Sequence, residues 1–366
     1  MAKAPPAIQV QCKPLTPIWT GDIERRGDRV RETGMIGSLR WWYEAILRGC
    51  GFYACDPSAG TCAYEEYHGL ANICLACQLF GCTGYSRRFR LEVEGEGGAG
   101  RPLFIRLRNP GTKGHKGWMV PQTLSGPFTL KLTPLSAQGL DAGGIGLTLR
   151  LIERFGALGA KTSQGQGVVQ FEGFPEVPPV ADWTAQMADR PHKGSSAQPP
   201  GAPNLQDLVG VCIALAPKGK DWWTKLPVQE QDLRDFRLSA SSQWTPSAPV
   251  VRAMLRAELR NLPASTSDRH RLMGFVSKRG EPGCARGSQI FVTHSYRVGD
   301  RWRMRIFGFV PNSNNSADQK LRSLLADSEQ LRAKVAGALG LGEAEVVAVD
   351  PYPRGIAALL GEGTQP

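Results

Sequence analysis

The chain has 366 residues, enough for two domains with a core each, and carries 44 Lys and Arg against 33 Asp and Glu for a formal charge of +11. Such a balance suits a polyanionic partner. The opening MAKAPPAIQV lacks the apolar core of a signal peptide, and no uncharged apolar run approaches the roughly 20 residues that span a bilayer, so the expectation is a cytoplasmic protein without a membrane partner.

Ala7 to Leu15 is a short β-branched run bounded by Pro14 and Pro17 and reads as a strand. The loop after it, Trp19 to Gly34, mixes Arg25, Arg26, Arg29 and Arg31 with Asp22, Glu24, Asp28 and Glu32. A solvated loop carries such a mixture, and four arginines beside a strand end also make a phosphate grip. Met35 to Arg48 places Met35, Ile36, Leu39, Trp42, Tyr43, Ile46 and Leu47 on one stripe, which predicts a helix ended by Gly49 and Gly51. Trp41 lies off that stripe and must be covered by something; the cysteine-rich segment that follows is the nearest cover.

Six of the nine cysteines fall between Cys50 and Cys82. In a reducing compartment such clustering points to a metal rather than to disulfides. Cys74 and Cys77 form a C-x-x-C pair. With Cys55 and Cys62 they supply four thiolates for a tetrahedral structural zinc, with Cys82 or His68 as substitutes. Arg88 to Glu94 alternates apolar and charged residues as a strand, Leu103 to Leu107 reads as a second, and Phe128, Leu130 and Leu132 lie on a third. Between the last two, NPGTKGHKGW reads as a flexible basic loop whose Lys113 and Lys116 would lie along a phosphate backbone.

Ile145 to Phe155 is a predicted helix with Arg150 and Arg154 one turn apart. It leads into ERFGALGAKTSQGQGVVQF, Glu153 to Phe171, where Gly156, Gly159, Gly165 and Gly167 alternate with Lys161, Thr162, Ser163, Gln164 and Gln166. Glycine permits close backbone approach, and Lys, Ser and Gln donate to phosphate and ribose. A nucleotide-binding P-loop is excluded because Lys161 follows Ala160 and the order is helix, loop, strand. An anionic ligand is the reading, with RNA the first candidate. With insertions set aside, the elements run strand, helix, strand, strand, helix, strand, the ferredoxin-like order.

Pro175 to Pro203 holds seven prolines and reads as a linker or disordered loop, placed at 179–204 between domains at 1–178 and 205–366, with the cysteine-rich insertion at 50–85. Beyond it the pattern repeats: a strand at Leu208 to Ala216, a helix at Pro249 to Asn261 with Arg252, Arg256 and Arg260 in a row typical of a solvated face, and a hairpin of Ser288–Val298 with Arg301–Val310 across Gly299-Asp300. A helix over Gln319 to Leu339 and a strand at Glu345 to Val349 close the chain. The fold class is therefore α+β, two tandem ferredoxin-like (RRM-like) domains with loop insertions. RIFGFV, Arg305 to Val310, partly matches the RNA-recognition-motif signature, in which Phe307 and Phe309 would stack bases; a Phe-rich strand is more often core.

Four stretches, TPIWTGD (Thr16 to Asp22), GMIGSLRWWYEAILRG (Gly34 to Gly49), CLACQLFGCTGYSRRFRL (Cys74 to Leu91) and the glycine loop, resemble the RAMP superfamily of type III CRISPR effectors. Within it they look most like the first-numbered subunits of type III-B (Cmr) complexes. The resemblance implies an RNA-binding subunit at one end of a guide-RNA filament, with other effector subunits and guide or target single-stranded RNA as partners in antiviral defence. It maps the family's RNA-packing glycine loop onto Gly156 to Gly167, and related subunits carry zinc-bound cysteines after the first helix. Filament-forming relatives cut target RNA with an Asp in the loop after the first strand, where Asp22 and Asp28 lie, so a RAMP ribonuclease is the alternative. The arginine-rich surroundings match the non-cutting subunit better. Neither His115 nor His294 has an evident acid–base partner, and the reading is non-catalytic.

Overall fold

The computed structural model describes residues 6–361, leaving out 25, 96–102, 109–116, 121–123, 137–139, 174, 195–196, 240–242, 261–265 and 275–286. In the first domain, β1 (Ile8–Pro14) leads to α1 (Glu32–Gly49), then the short α2 (Leu75–Phe80) of the cysteine-rich insertion and β2 (Phe89–Glu94). A hairpin of β3 (Leu103–Arg106) and β4 (Gly117–Val120) precedes β5 (Phe128–Pro134), α3 (Ala142–Phe155) and β6 (Val169–Glu172). The sheet order is β2-β5-β1-β6 with every pair antiparallel, which is the ferredoxin-like arrangement. Alternation along β1 and β5 turns Val10, Cys12, Leu130 and Leu132 onto the helices. It leaves Gln9, Gln11, Lys13, Thr129, Lys131 and Gln170 on the open face, without an aromatic for base stacking.

The proline-rich stretch is not a free tether. It contains α4 (Val180–Ala188), whose Trp183 is buried and donates from Nε1 to Asp141. Its later residues clasp the insertion, with Lys193 N–H on Ile73 O at 3.0 Å and Gln78 Nε2 on Pro191 O at 2.7 Å.

The second domain runs β7 (Leu208–Leu215), α5 (Glu230–Ser239), β8 (Trp244–Thr245), α6 (Ala248–Arg260), α7 (Thr266–Met273), β9 (Ile290–Val292), β10 (Ser295–Val298), β11 (Arg301–Phe309), α8 (Ser316–Ala326), α9 (Ser328–Leu339), β12 (Val346–Pro351) and α10 (Ile356–Leu360). Its sheet is ordered β12-β7-β11-β10-β8, with β9 also on β11, so β9 and β10 act as one interrupted strand and the ferredoxin-like order recurs. The hairpin across Gly299-Asp300 forms as read. The single helix expected over Gln319 to Leu339 is two, because Asp327 accepts the Gln330 N–H and starts α9 afresh. The row on α6 is solvated only at its end: Arg260 is exposed, whereas Arg252 is buried and donates to the carbonyls of Ile290 (2.9 Å) and Met273.

Both faces of this second sheet are covered. Val211, Ile213, Met304 and Ile306 enter the core with its own helices, while Cys212, Phe307 and Phe309 enter the core of the first domain. The molecule is thus layered as sheet, helices, sheet, helices. Phe307 and Phe309 are buried against Trp42 (ring centroids 6.1 and 5.7 Å), which removes them as base-stacking residues. Trp41 is covered from the same side, by Phe309 (5.2 Å) and Phe291 (6.0 Å), and not by the cysteine-rich insertion. Arg305 crosses the seam to donate to Glu153 O (2.6 Å) and Gly156 O (3.0 Å), capping the C-terminus of α3. The β3–β4 hairpin also belongs to the second domain in space, tied by Arg106 to Asp232 at 2.5 Å.

His294 sits in this seam, fully buried, stacked near Trp244 and pushed down to about 3 by burial. It is neutral in the fold, whereas the unfolded chain takes its proton near pH 6.5, so its contribution is complete above that value and is lost as pH falls toward 3. The unfolding free energy is expected to fall between pH 7 and pH 5 by up to ~1.4 kcal/mol per pH unit from this group, and the melting temperature with it. His294→Gln should show a flatter slope; equal slopes in differential scanning calorimetry would contradict it.

Candidate nucleic-acid interface and metal centre

The glycine loop lies in the seam between the domains and is held on every side. Leu158 N–H donates to Gly167 O (2.7 Å), Gly167 N–H to Pro17 O (2.9 Å), Ala160 N–H to Trp19 O (2.9 Å) and Gly159 N–H to Ser38 Oγ (3.0 Å). From the second domain the His294 N–H reaches Gly165 O at 2.9 Å, at the break between β9 and β10. The glycines therefore admit protein rather than ligand. At Gly165 (φ +102) a Cβ would meet Ala248 at 2.6 Å and the His294 ring at 2.8 Å, and at Gly167 (φ +92) the Leu158 carbonyl at 2.2 Å.

The tip is what remains for a ligand. Lys161, Thr162, Ser163 and Gln164 are half-buried, with Lys161 in the left-handed region (φ 56) and its Nζ 4.6 Å from the centre of the Trp19 ring. Gln164 Oε1 is buried without a hydrogen-bond partner. Beside the tip opens a groove of about 430 Å³, floored by Gly34, Gly37 and Ser38 of α1, edged by Gly159, Ala160 and Thr162, and walled by Trp41 and Phe291. Small residues on α1 at spacing i, i+3, i+4 make this concavity. That spacing, next to an off-stripe tryptophan, was the sequence signal for a groove, while Trp19 and Phe291 carry no such signal.

The structure separates the other predicted residues. Asp22 organises its loop: Oδ1 accepts the Arg26 N–H at 2.7 Å, and Oδ2 accepts Arg26 Nε at 3.0 Å and Arg31 Nη2 at 3.2 Å. The Arg26 N–H, then the Arg26 and Arg31 guanidinium groups, hold its carboxyl below the ordinary value. Asp28 pairs with Arg31 at 2.6 Å. Arg26 and Arg31 are thus engaged within the loop, and Arg29 is exposed. Arg154 is buried, donating to Gly361 O at 2.7 Å, and faces the C-terminal segment instead of the groove. Arg25, Lys113, Lys116 and His115 lie outside the described residues.

Cys55, Cys62, Cys74 and Cys77 come together as read, all buried, with their sulfurs mutually within 4.8 Å. Against the roughly 3.8 Å edge of a tetrahedron with 2.3 Å zinc–sulfur bonds, Cys55–Cys74 matches at 3.8 Å and Cys55–Cys77 is shorter at 3.4 Å. Cys82 abuts Cys77 but is outside the four, and the exposed His68 pairs with Glu65 at 3.6 Å. Hydrogen bonds among the sulfurs, those with Cys55 foremost, lower Cys62 and bring Cys74 down to about 6 while raising Cys77; Cys55 is itself raised, chiefly by its bond with Cys62. No other group of three or more potential metal ligands occurs among the described residues.

The family model of the RAMP superfamily matches residues 11–170. The first domain belongs to the RAMP superfamily. No curated protein matches the sequence. The RAMP domain and its partner together are similar to the apo crystal structure of Cmr1 from Pyrococcus furiosus, with 14% identity, a TM-score of 0.38 and coverage of 86% of this chain and 93% of that one. A second similar structure is the cryo-EM structure of the type III-B Cmr-beta bound to cognate target RNA and AMPPnP in the presence of ssDNA. Identity there is 9%, the TM-score 0.43 and coverage 91% of this chain and 98% of that one. No helix among the described residues is long and apolar enough to cross a membrane.

A divalent metal at the four cysteines would cross-link the two halves of the insertion, Cys55 and Cys62 to Cys74 and Cys77. Freshly purified, folded protein is expected to hold about one equivalent of zinc by elemental analysis, and Cys74→Ser to lose most of it and melt lower. Less than about half an equivalent in the wild type counts against the site.

Proposed function

We propose that this protein is a non-catalytic, cytoplasmic RNA-binding subunit of a type III-B CRISPR effector, capturing and positioning guide or target RNA in antiviral defence, with a structural zinc in its insertion. The observation that carries the reading is the groove beside the glycine-loop tip, edged by Gly159, Ala160 and Thr162 and walled by Trp41 and Phe291, with Lys161 next to that edge in the chain. Membership of the first domain in the RAMP superfamily and the motif resemblance to Cmr subunits supply the context. The open face of the first sheet carries no aromatic among the named residues and Phe307 and Phe309 of the second are buried, so RNA is gripped at the seam, where Phe291 of β9 lines the groove. The engagement of both Asp22 oxygens by Arg26 and Arg31 supports a structural role for that carboxylate.

Gly37 provides a clean test, because a Cβ there meets nothing within 4 Å. Gly37→Leu should fill the groove, leave the melting temperature unchanged or higher, since glycine is a poor helix residue, and weaken single-stranded RNA binding about tenfold. Unchanged affinity in fluorescence anisotropy would remove the groove from the RNA path. Lys161→Ala with Gln164→Ala should also weaken binding and flatten the log–log salt slope by roughly 0.7 for the lost phosphate contact.

Labelled guide and target RNA should remain intact with the purified protein, with or without Mg²⁺. A product that disappears in Asp22→Ala or Asp28→Ala would replace this reading with a RAMP ribonuclease.

A further inference from the structure

Four thiolates around a divalent ion carry a net charge of −2, and here all four sulfurs belong to buried residues. A buried dianion requires donors and counter-charge close by. Arg40 of α1 supplies both. Its Nη2 donates to Cys77 Sγ at 3.2 Å and approaches Cys55 Sγ at 3.9 Å, Nη1 donates to Gly81 O at 2.8 Å, and Nε donates to Glu44 Oε1 at 2.7 Å. Each edge of the guanidinium is thus used in a different direction, which fixes its plane in a way that a lysine ammonium cannot reproduce. Behind it, Arg48 holds Glu44 at 3.3 Å and donates to the carbonyls of Cys55 (2.8 Å) and Ala54 (3.1 Å). With Arg40 and Arg48 positive and Glu44 negative, the surroundings contribute +1 against the −2 of the filled site.

We propose that Arg40 is a positioning residue of the metal centre, whose N–H groups hold Cys77 and Cys55 in ligating geometry and offset the charge of the tetrathiolate, so that metal retention depends on it. The inference rests on the four cysteines holding a divalent metal. An outer partner of this kind commonly changes metal affinity by 10- to 100-fold.

The test compares intact wild-type protein with Arg40→Met and Arg40→Lys, each loaded with Zn²⁺ or with Co²⁺. Arg40→Met is expected to bind one equivalent but to release zinc to a competing chelator about 10- to 100-fold faster. Its Co²⁺ form should keep the band pattern of four sulfur ligands, with the sulfur-to-metal charge-transfer band at lower energy, because a sulfur without its N–H donor gives up electron density more readily. Arg40→Lys, which keeps the charge without the fork, should fall between the two. Release rates within about twofold of wild type and an unmoved charge-transfer band would overturn the proposal, and Arg40→Lys decides if Arg40→Met does not fold. Wild-type protein that takes up no metal would also overturn it, and would do so by refuting the metal site itself.

Discussion

The structure depends on the seating of the second sheet on the helices of the first domain. A ferredoxin-like sheet alone buries one face, yet β7 and the second half of β11 are buried on both; β7 is correspondingly apolar throughout, and β11 is so from Ile306 to Phe309. The seam is fastened by chemistry that cannot slide. The Arg305 guanidinium ends α3 from across the boundary, the Tyr352 hydroxyl reaches Phe155 O at 3.1 Å, and Trp42 packs between the phenylalanines of β11 and its own domain. Two carbonyls of a helix terminus meet the Nη1 and Nη2 groups of this buried arginine with the favourable end of the helix dipole, while its Nε is left without a hydrogen-bond partner. The glycine loop starts one residue beyond that helix. Its path is therefore set by docking of the domains before any ligand arrives.

Much of this was legible from residue pattern. The first sheet and its two helices follow from clean alternation and a strong helical stripe, and the four metal-site cysteines follow from thiolate chemistry and loop spacing. What was not legible has a common cause, since tertiary contacts assigned roles that composition leaves open. Arg252 looks like a solvated arginine and Arg154, beside the glycine loop, like an RNA-binding one, until backbone carbonyls claim them. Trp41 looked like a side chain in need of cover, and only the fold shows that Phe309 and Phe291 provide it. Phe307 and Phe309 fit a base-stacking pattern equally well, because a strand that stacks on bases and one that stacks on tryptophans present the same residues.

The glycines show the same ambiguity more sharply. Glycine in a loop reports only that something comes close, and at Gly165 and Gly167 that something is the protein itself. The part of the loop that the proposed function assigns to RNA is the short run Lys161 to Gln164, where the half-buried polar side chains are. A loop that spends its glycines on rigid docking presents those side chains at a defined place, which lowers the ordering entropy of binding an extended polyanion. Pre-organisation of this kind fits a protein that positions RNA better than one that must follow it.

Helix α1 joins the two functional regions. Gly34, Gly37, Ser38 and Trp41 shape the groove, while Arg40, Glu44 and Arg48 hold the cysteine-rich insertion from the adjoining face. Arg40 and Trp41 are sequential, so a rotation of the helix that loosened one contact would disturb the other. The insertion is in turn pressed onto α1 by the strap around Pro191 and Gln198, and α1 is pressed onto β11 by the second domain. A helix constrained from several sides can carry glycines in its exposed face without fraying, because packing rather than propensity stabilises it. The cysteine-rich insertion and the second sheet thus contribute to the same end: they hold one glycine-containing helix face in place where, under the proposed function, a single-stranded polyanion would lie.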